Sequence, residues 1–354
     1  MRRRMAALCA LLLCMAMATP GAAEGSWGQI NQELARPEGW QRIVTDSAFA
    51  LGERTEIGTL DGRPLYEQAF GTYPSLDGST VAVPMAMEFA RQHLGLSDED
   101  LAGFVFFSTT HGAYEHLIGK RPNGSAMITS ENVAMDERQP VDLILATEPS
   151  DDELALAEAN GVTLVMKPIC YDAFVFITHA DNPVQSLTTQ QIQAIYTGDI
   201  VNWQEVGGEN AAIHPYQREA NSGSQTAMEK LVMQGRPLSA AEENYVTDGM
   251  GGLIRRVGSY ENSAHSLGYT YQYYIDTLYR SDDIKVLAVD GIAPTAENLR
   301  SGAYPFTTNY HAVLRSDDVS AVAGQFLDWM LSPEGQRCIE QAGYIPVLDL
   351  SGVQ

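Results

Sequence analysis

Basic residues are scarce. The chain of 354 residues carries 22 Lys and Arg against 45 Asp and Glu, a formal net charge of −23. Without a basic patch to replace phosphate counterions, nucleic acid is excluded as a partner, and an anionic membrane surface is disfavoured for the same reason. Cysteine is scarcer: there are four, and Cys9 and Cys14 fall in an N-terminal apolar stretch. The remaining two, Cys170 and Cys338, are too few for a disulfide framework. They leave two readings open, a bridge formed in an oxidising compartment or two buried, unpaired thiols. The N-terminal apolar stretch, Met5–Ala18, runs for about 14 residues, short of the ~20 that span a bilayer. Enzyme motifs are thin. There is no Gly-x-Ser-x-Gly elbow and no phosphate-binding P-loop. No internal repeat or low-complexity tract is visible.

What is present fits a globular chain. The hydrophobic fraction is 45% and the charged fraction 19%, too apolar for a disordered protein. At ~100–200 residues per domain, the length predicts about two domains. The first residues read as a targeting segment: Arg2, Arg3 and Arg4, the apolar stretch, then small residues ending in Gly21-Ala22-Ala23. Leu8 and Leu13 stand before Cys9 and Cys14, where a lipoprotein signal would place small residues. A cleaved signal peptide over 1–23 is therefore expected, giving a periplasmic or secreted protein. Its removal would deepen the charge from −23 to −26. Residues 24–72 are polar and turn-rich and read as an N-terminal extension.

From Tyr73 onward short apolar strands alternate with amphipathic helices. Helices are predicted over 79–94, 112–118, 151–160, 188–196, 225–234, 319–331 and 333–342. Strands are predicted over 103–108, 141–146, 162–166, 173–178, 213–217 and 286–289. This alternation predicts an α/β architecture with mostly parallel sheets. After the strand at 173–178 the chain begins a new α/β run at Asn182-Pro183. It later returns toward Ala303-Tyr304-Pro305-Phe306. Two crossings between two lobes leave a cleft, where small ligands usually bind. The expected division is 73–180 with 285–354 in one lobe and 181–284 in the other.

The strongest chemical signal is Arg218-Glu219-Ala220-Asn221-Ser222-Gly223-Ser224-Gln225-Thr226, which follows a strand and opens a helix. Gly223 permits close backbone approach, Ser222 and Ser224 bring hydroxyls, and the helix start favours an anion. Arg218 supplies a planar, permanently charged fork. A plain Ser cap beside a surface Arg is the competing reading. Tyr73-Pro74-Ser75-Leu76-Asp77-Gly78-Ser79-Thr80 has the same grammar in the other half, so donors from both lobes can converge on one small anion. Asp77 would repel that anion and is expected to turn away. His111 and Glu115 would share a helix face and invite a metal reading, but no third ligand is evident, so packing is preferred. Tyr269, Tyr271, Tyr273, Tyr274 and Tyr279 read either as cleft lining or as half-buried packing with polar tips.

Together these segments resemble the phosphate-binding branch of the type II periplasmic binding proteins, the solute receptors of ABC importers. The resemblance runs from about Tyr73 to Val347. It is carried by Leu76-Asp77-Gly78-Ser79-Thr80, Val141–Pro149, Ile195-Tyr196-Thr197-Gly198, Asn202-Trp203, Arg218–Thr226, Ser266-Leu267-Gly268-Tyr269 and Gly343-Tyr344-Ile345-Pro346-Val347. It implies two α/β lobes, each a mostly parallel sheet flanked by helices, closing on a ligand in the cleft between them. The family's Arg-x-x-x-Ser-Gly-Thr/Ser clamp maps onto Arg218, Ser222, Gly223 and Ser224. Its first-lobe hydroxyls map onto Ser79 and Thr80, and a further one onto Thr110, with Thr109 as the other candidate. The family's Ser-Asp-x-Pro segment is Ala146-Thr147-Glu148-Pro149 here. Thr147 thus stands where the family has an Asp that accepts the proton of bound phosphate, and Glu148 is one residue off. The implied function is a non-catalytic receptor that takes phosphate or a similar oxyanion to a membrane permease, as a monomer, without metal or cofactor. Two other classes compete: a sensing or adhesion module of the same fold, and a secreted phosphohydrolase.

Overall fold

The computed structural model describes residues 73–94, 105, 107–119, 141–240, 246–247, 250–259, 265–317 and 321–350. The predicted signal peptide and the extension over 24–72 lie outside these residues. Among the described residues, eleven strands are arranged in one sheet of nine strands and one of two.

The first group of elements holds β1 (Leu76–Gly78), α1 (Val83–Leu94), α2 (Thr110–Gly119), β2 (Leu143–Ala146) and α3 (Asp151–Ala159). β1 pairs in parallel with β2, Leu76 opposite Leu143. A short 3-10 turn, Thr80–Ala82, leads into α1, so the predicted start at 79 is a cap and a tight turn. α1 buries Met85 and Phe89 completely. Phe89 meets Phe326 and Trp329 edge-on, with ring centroids 5.6 and 5.3 Å apart. Burying each such side chain contributes roughly 1.5–3 kcal/mol. α3 starts in a reciprocal cap: Glu153 N–H donates to Ser150 Oγ, and the Glu153 carboxylate accepts from Ser150 N. The strand predicted over 103–108 falls partly outside the described residues. Phe107 and Ser108 are not in a strand, because the Ser108 amide donates to a side chain, Asp77 Oδ1.

The centre of the molecule is β3 (Leu164–His179), a single strand of 16 residues where two were predicted. The polar segment Lys167–Asp172 breaks the apolar pattern but not the ladder. It pairs antiparallel with β10 (Thr307–Arg315) and β11 (Ile345–Pro346). Pro168, which lacks an N–H, falls at the register shift between Tyr310 and His311. From Phe174 onward β3 changes partners, to β8 (Ser266–Tyr271) and β9 (Ile284–Val289).

The second group contains β4 (Ser186–Leu187), α4 (Thr189–Thr197), β5 (His214–Pro215), β6 (Gln217–Arg218), α5 (Gly223–Ala227), β7 (Val246–Thr247) and α6 (Met250–Val257). Thr188 caps α4 in a second reciprocal box with Gln191. α5 does not continue as a regular α-helix to 234. It passes into a π-helical stretch, Met228–Met233, a distortion often found at functional sites. The strand predicted over 213–217 is two strands in two sheets, because β5 pairs with β8 and β6 with β7. β9 pairs with β4, so it belongs with this second group. The strand that rejoins the first group is β10, later than the predicted return at 285. Helices α7 (Ala296–Arg300), α8 (Ala321–Met330) and α9 (Pro333–Gln341) complete the chain.

The pairs β1–β2, β4–β9, β5–β8 and β6–β7 are parallel, as predicted. The antiparallel pairs all involve β3 or β10, the two strands that connect the groups. The sheet is therefore mixed, and its central ladder is antiparallel because the chain crosses the molecule in both directions. One hydrophobic core runs through both groups, and a smaller one lies under α2, β2 and α3. Cys170 and Cys338 are buried and unpaired, which selects the free-thiol reading. Burial pushes both thiols well above their ordinary range. Among the described residues no helix is long and apolar enough to cross a membrane.

Candidate anion-binding cleft

Arg218 ends β6 with its main chain anchored from the neighbouring strand. Its amide donates to Tyr269 OH at 3.0 Å and to Gln225 Oε1 at 3.2 Å. The guanidinium is only 8% exposed. Nη1 donates to Ser224 Oγ at 3.2 Å, while Nη2 and Nε grip both oxygens of Glu219 at 2.5 and 3.2 Å. Glu219 thus orients the fork and offsets part of the cost of burying it. Asn221 takes a positive φ of 63°, which Asn tolerates better than most residues, and this turns the chain into α5. The Ser222 hydroxyl is used up in that turn: it donates to Glu219 O at 3.0 Å and accepts from Gln225 N at 3.3 Å. Its role is a cap, and Ser224 is the hydroxyl that joins Arg218.

Gly223 is where the two groups meet. A Cβ built there would lie 2.7 Å from Thr147 Oγ1 and 2.9 Å from Thr110 Oγ1. Only glycine allows that approach. Three predicted site residues from three separate segments are therefore in contact distance. Thr147 is buried, with the Tyr271 phenol beside it. Thr110 is buried at the start of α2, whereas Thr109 is exposed with φ at 89°. Of the two candidates, Thr110 is the one that packs against Gly223. Glu148 is exposed.

The first-group loop is held by Asp77, which has turned away from the cleft as expected. Its Oδ1 accepts from the amides of Gly78 and Ser108, both at 2.7 Å, and its Oδ2 accepts from Ser108 Oγ at 2.5 Å. His116 Nδ1 lies 2.8 Å from the same Oδ2. This buried network ties β1 to the loop before α2 and to His116 within that helix. Gly78 has no room for a side chain, since a Cβ would fall 2.3 Å from Leu145 O. Ser79 is buried, with its amide on Leu145 O at 2.9 Å. Thr80 Oγ1 shares a 2.5 Å hydrogen bond with Tyr274 OH.

The tyrosines form the floor. Tyr271 OH donates to Gly223 O at 2.9 Å, and Tyr269 OH donates to Gln225 Oε1. Tyr273 stacks flat on Tyr344, with centroids 3.8 Å apart. Burial raises every one of these phenols, Tyr274 to about 12, so they act as neutral hydrogen-bonding groups at physiological pH. Both earlier readings of the tyrosine run hold in part: the rings are packing, and the tips of Tyr271 and Tyr274 touch site residues. Neither was singled out as a binding residue. For Tyr271 the available signal was its position after the glycine in Gly268-Tyr269-Thr270-Tyr271.

His111 does not gather a metal set. Its Nδ1 lies 2.9 Å from Glu153 Oε1 and its Nε2 3.7 Å from Glu115 Oε1. The hydrogen bond to Glu153 holds its pKa above the ordinary histidine value. Among the described residues no three His, Cys, Asp or Glu side chains are grouped to hold a metal ion. Across the mouth of the cleft, Asn221 Nδ2 donates to Asp152 Oδ2 at 2.9 Å, and Lys230 Nζ donates to Pro149 O and meets Asp151 Oδ1, both at 2.9 Å. These contacts join the two groups at the surface.

The fold is two α/β groups bridged by antiparallel strands, with Gly223 of one packed on Thr110 and Thr147 of the other. Residues 121–334 match the family described as the PBP superfamily domain, and the chain belongs to that family. It has the family's two-lobed α/β fold. Among curated relatives it is similar to the phosphate-binding protein PstS of Borreliella burgdorferi, 28% identical over 182 residues, which is 50% of this chain and 64% of that protein. It is also similar to the phosphate-binding protein PstS of Bacillus subtilis, 25% identical over 229 residues, 64% of this chain and 66% of that one. The matched stretch thus spans just under two thirds of these relatives' length. Among solved structures, one from Clostridium perfringens, assigned as a phosphate ABC transporter substrate-binding protein with bound phosphate, superposes with a TM-score of 0.57 at 27% identity. That match covers 78% of this chain and 100% of that chain. An ABC-type phosphate transport receptor from Vibrio cholerae shares the fold at 20% identity, with a TM-score of 0.54 over 77% of this chain and 99% of that one.

Proposed function

We propose that this protein is an extracytoplasmic receptor that captures phosphate or a similar tetrahedral oxyanion and delivers it to the permease of an ABC importer. The observation that carries this reading is the packing of Gly223 against the buried Thr110 and Thr147 of the other group, one residue from Ser224, whose hydroxyl Arg218 holds. Arg218 supplies the fixed positive charge. Thr110, Thr147 and Ser224 supply hydroxyls that donate to oxyanion oxygens. Ser79 and Thr80 frame the first-lobe side, and Ser222 shapes the turn that presents Gly223 and Ser224. The relatives named as phosphate-binding proteins and the phosphate-bound neighbour support the ligand class.

The protein acts by binding and release, not by chemistry, so it needs no nucleophile or cofactor. It works as a periplasmic or secreted monomer after removal of residues 1–23. The lobes comprise β1, β2, β10, β11 and the first half of β3 on one side. The elements from β4 to β9, with the second half of β3, lie on the other. Isothermal titration of the purified chain over 24–354 with phosphate tests the reading. Saturable binding at one site per chain is expected, and no heat or thermal shift with phosphate, sulfate, arsenate or molybdate would overturn it.

A further inference from the structure

Two tyrosines at and just after the end of β8 reach hydroxyls of the first group. Tyr271 OH donates to Gly223 O at 2.9 Å and stands beside Thr147. Tyr274 opens a π-helical stretch, Tyr274–Leu278. Its ring is buried and stacked on Tyr279, with centroids 5.9 Å apart. Its hydroxyl shares a 2.5 Å hydrogen bond with Thr80 Oγ1, across 194 positions of the chain. The Arg218 charge also reaches this phenol and opposes the upward push of burial on its pKa. Thr80 opens the 3-10 turn after β1 and is half-buried. One phenol therefore borders a hydroxyl of the first group and lies in the field of the second group's arginine.

The direction of the Thr80–Tyr274 bond follows from acidity. A phenol ionises near pH 10, far below an aliphatic alcohol, so Tyr274 donates and Thr80 accepts. A threonine hydroxyl has one proton to give and two lone pairs to receive. With one lone pair engaged by the phenol, Thr80 keeps its proton, and among the described residues no acceptor takes it. A hydroxyl that accepts one hydrogen bond is polarised into a better donor for the next. The oxygen of an oxyanion is the acceptor that gains most from such a donor. Resting on the oxyanion-receptor reading, we infer that Tyr274 is a positioning residue of the anion site: it donates into Thr80 Oγ1 and so aims the Thr80 proton at the bound oxyanion. In the opposite orientation the phenol would take the Thr80 proton, and the anion would lose a donor.

Titration of the purified chain over 24–354 with inorganic phosphate tests this in a double-mutant cycle. In the wild type, Tyr274→Phe should weaken binding about three- to tenfold, the scale of one net hydrogen bond. On a Thr80→Ser background, which keeps a hydroxyl to aim, Tyr274→Phe should cost a similar factor. On a Thr80→Val background, which has none, it should cost nothing further. A phenol that only packed would weaken binding by the same factor on all backgrounds. That result would overturn the inference, as would unchanged affinity in Tyr274→Phe. Fluorine NMR of 3-fluorotyrosine-labelled protein gives a second readout that needs no variant at Tyr274. One tyrosine resonance should move both with Thr80→Val and with added phosphate. If phosphate binds but moves no resonance that Thr80→Val moves, the inference falls and the receptor reading stands. No binding of phosphate, sulfate, arsenate or molybdate by the wild type would overturn both.

Discussion

In the proposed anion site, Arg218 is the residue on which binding most depends. Its guanidinium is buried and already held by Glu219 and Ser224, so it loses little freedom when a ligand arrives. Arg218→Ala should weaken phosphate binding by about 30-fold to several thousand-fold, the ~2–5 kcal/mol expected when one partner of a buried charged pair is removed. Unchanged affinity by titration would remove Arg218 from the site. Asp172 carries a different cost. Burial, opposed by the Ala173 amide, raises its carboxyl to about 7, against about 4 in the unfolded chain. The folded protein therefore binds the proton more tightly. Stability contributed by this group is present below about pH 4 and is lost as pH rises toward 7, on the order of 4 kcal/mol. Asp172→Asn should show no such loss. Urea unfolding of both forms at pH 5 and pH 8 checks this, and a wild-type-to-variant difference that stays constant between those pH values would refute it. Arg218 and Gly223 were marked as candidates by their residue type and spacing and Thr147 only by the family resemblance, and Gly223 packs on Thr147. Tyr271 and Tyr274 were not, since a buried tyrosine reads the same whether its hydroxyl faces packing or a site.

At the scale of elements, the loop from β6 into α5 and the segments ending at Thr110 and Thr147 are shaped for contact. Gly223→Ala would press a methyl group into both threonine hydroxyls. The chain can fold around it only by parting the lobes, so the variant should melt near the wild-type temperature without ligand yet bind phosphate at least tenfold more weakly, roughly the effect of losing one charge-assisted hydrogen bond. Wild-type affinity in the variant would show that the lobes do not close on Gly223. Many elements were readable from the sequence because capping and periodicity act locally: Ser150 with Glu153, Thr188 with Gln191, and the apolar face of α1. β3 was split in two because Lys167, Pro168 and Asp172 interrupt its apolar pattern. Those residues are tolerated only because β10 and β11 pair with them from distant parts of the chain. The π-helical turn after α5 likewise depends on tertiary packing that no local rule contains.

At the scale of the whole molecule, two lobes share one core through β3 and β10, yet their outer faces meet through a few polar contacts. Lys230 bridges from the second lobe to Pro149 O and Asp151, and Asn221 reaches Asp152. Asp151 is almost fully exposed and Lys230 a third exposed, so each contact contributes at most about 1 kcal/mol. Such a latch can bias closure without locking it, and the bound anion supplies the remainder by touching both lobes at once. Ligand binding should therefore shrink the radius of gyration measured by small-angle scattering, from an open form without anion to a closed one. Lys230→Met should leave the liganded radius unchanged, enlarge the population-averaged radius without anion, and weaken phosphate binding by about two- to fivefold, the scale of one exposed pair. A radius that is identical with and without saturating phosphate, in a protein that binds it tightly, would mean that the anion enters a cleft already shut, and the connecting strands would then be a rigid spine and not a hinge.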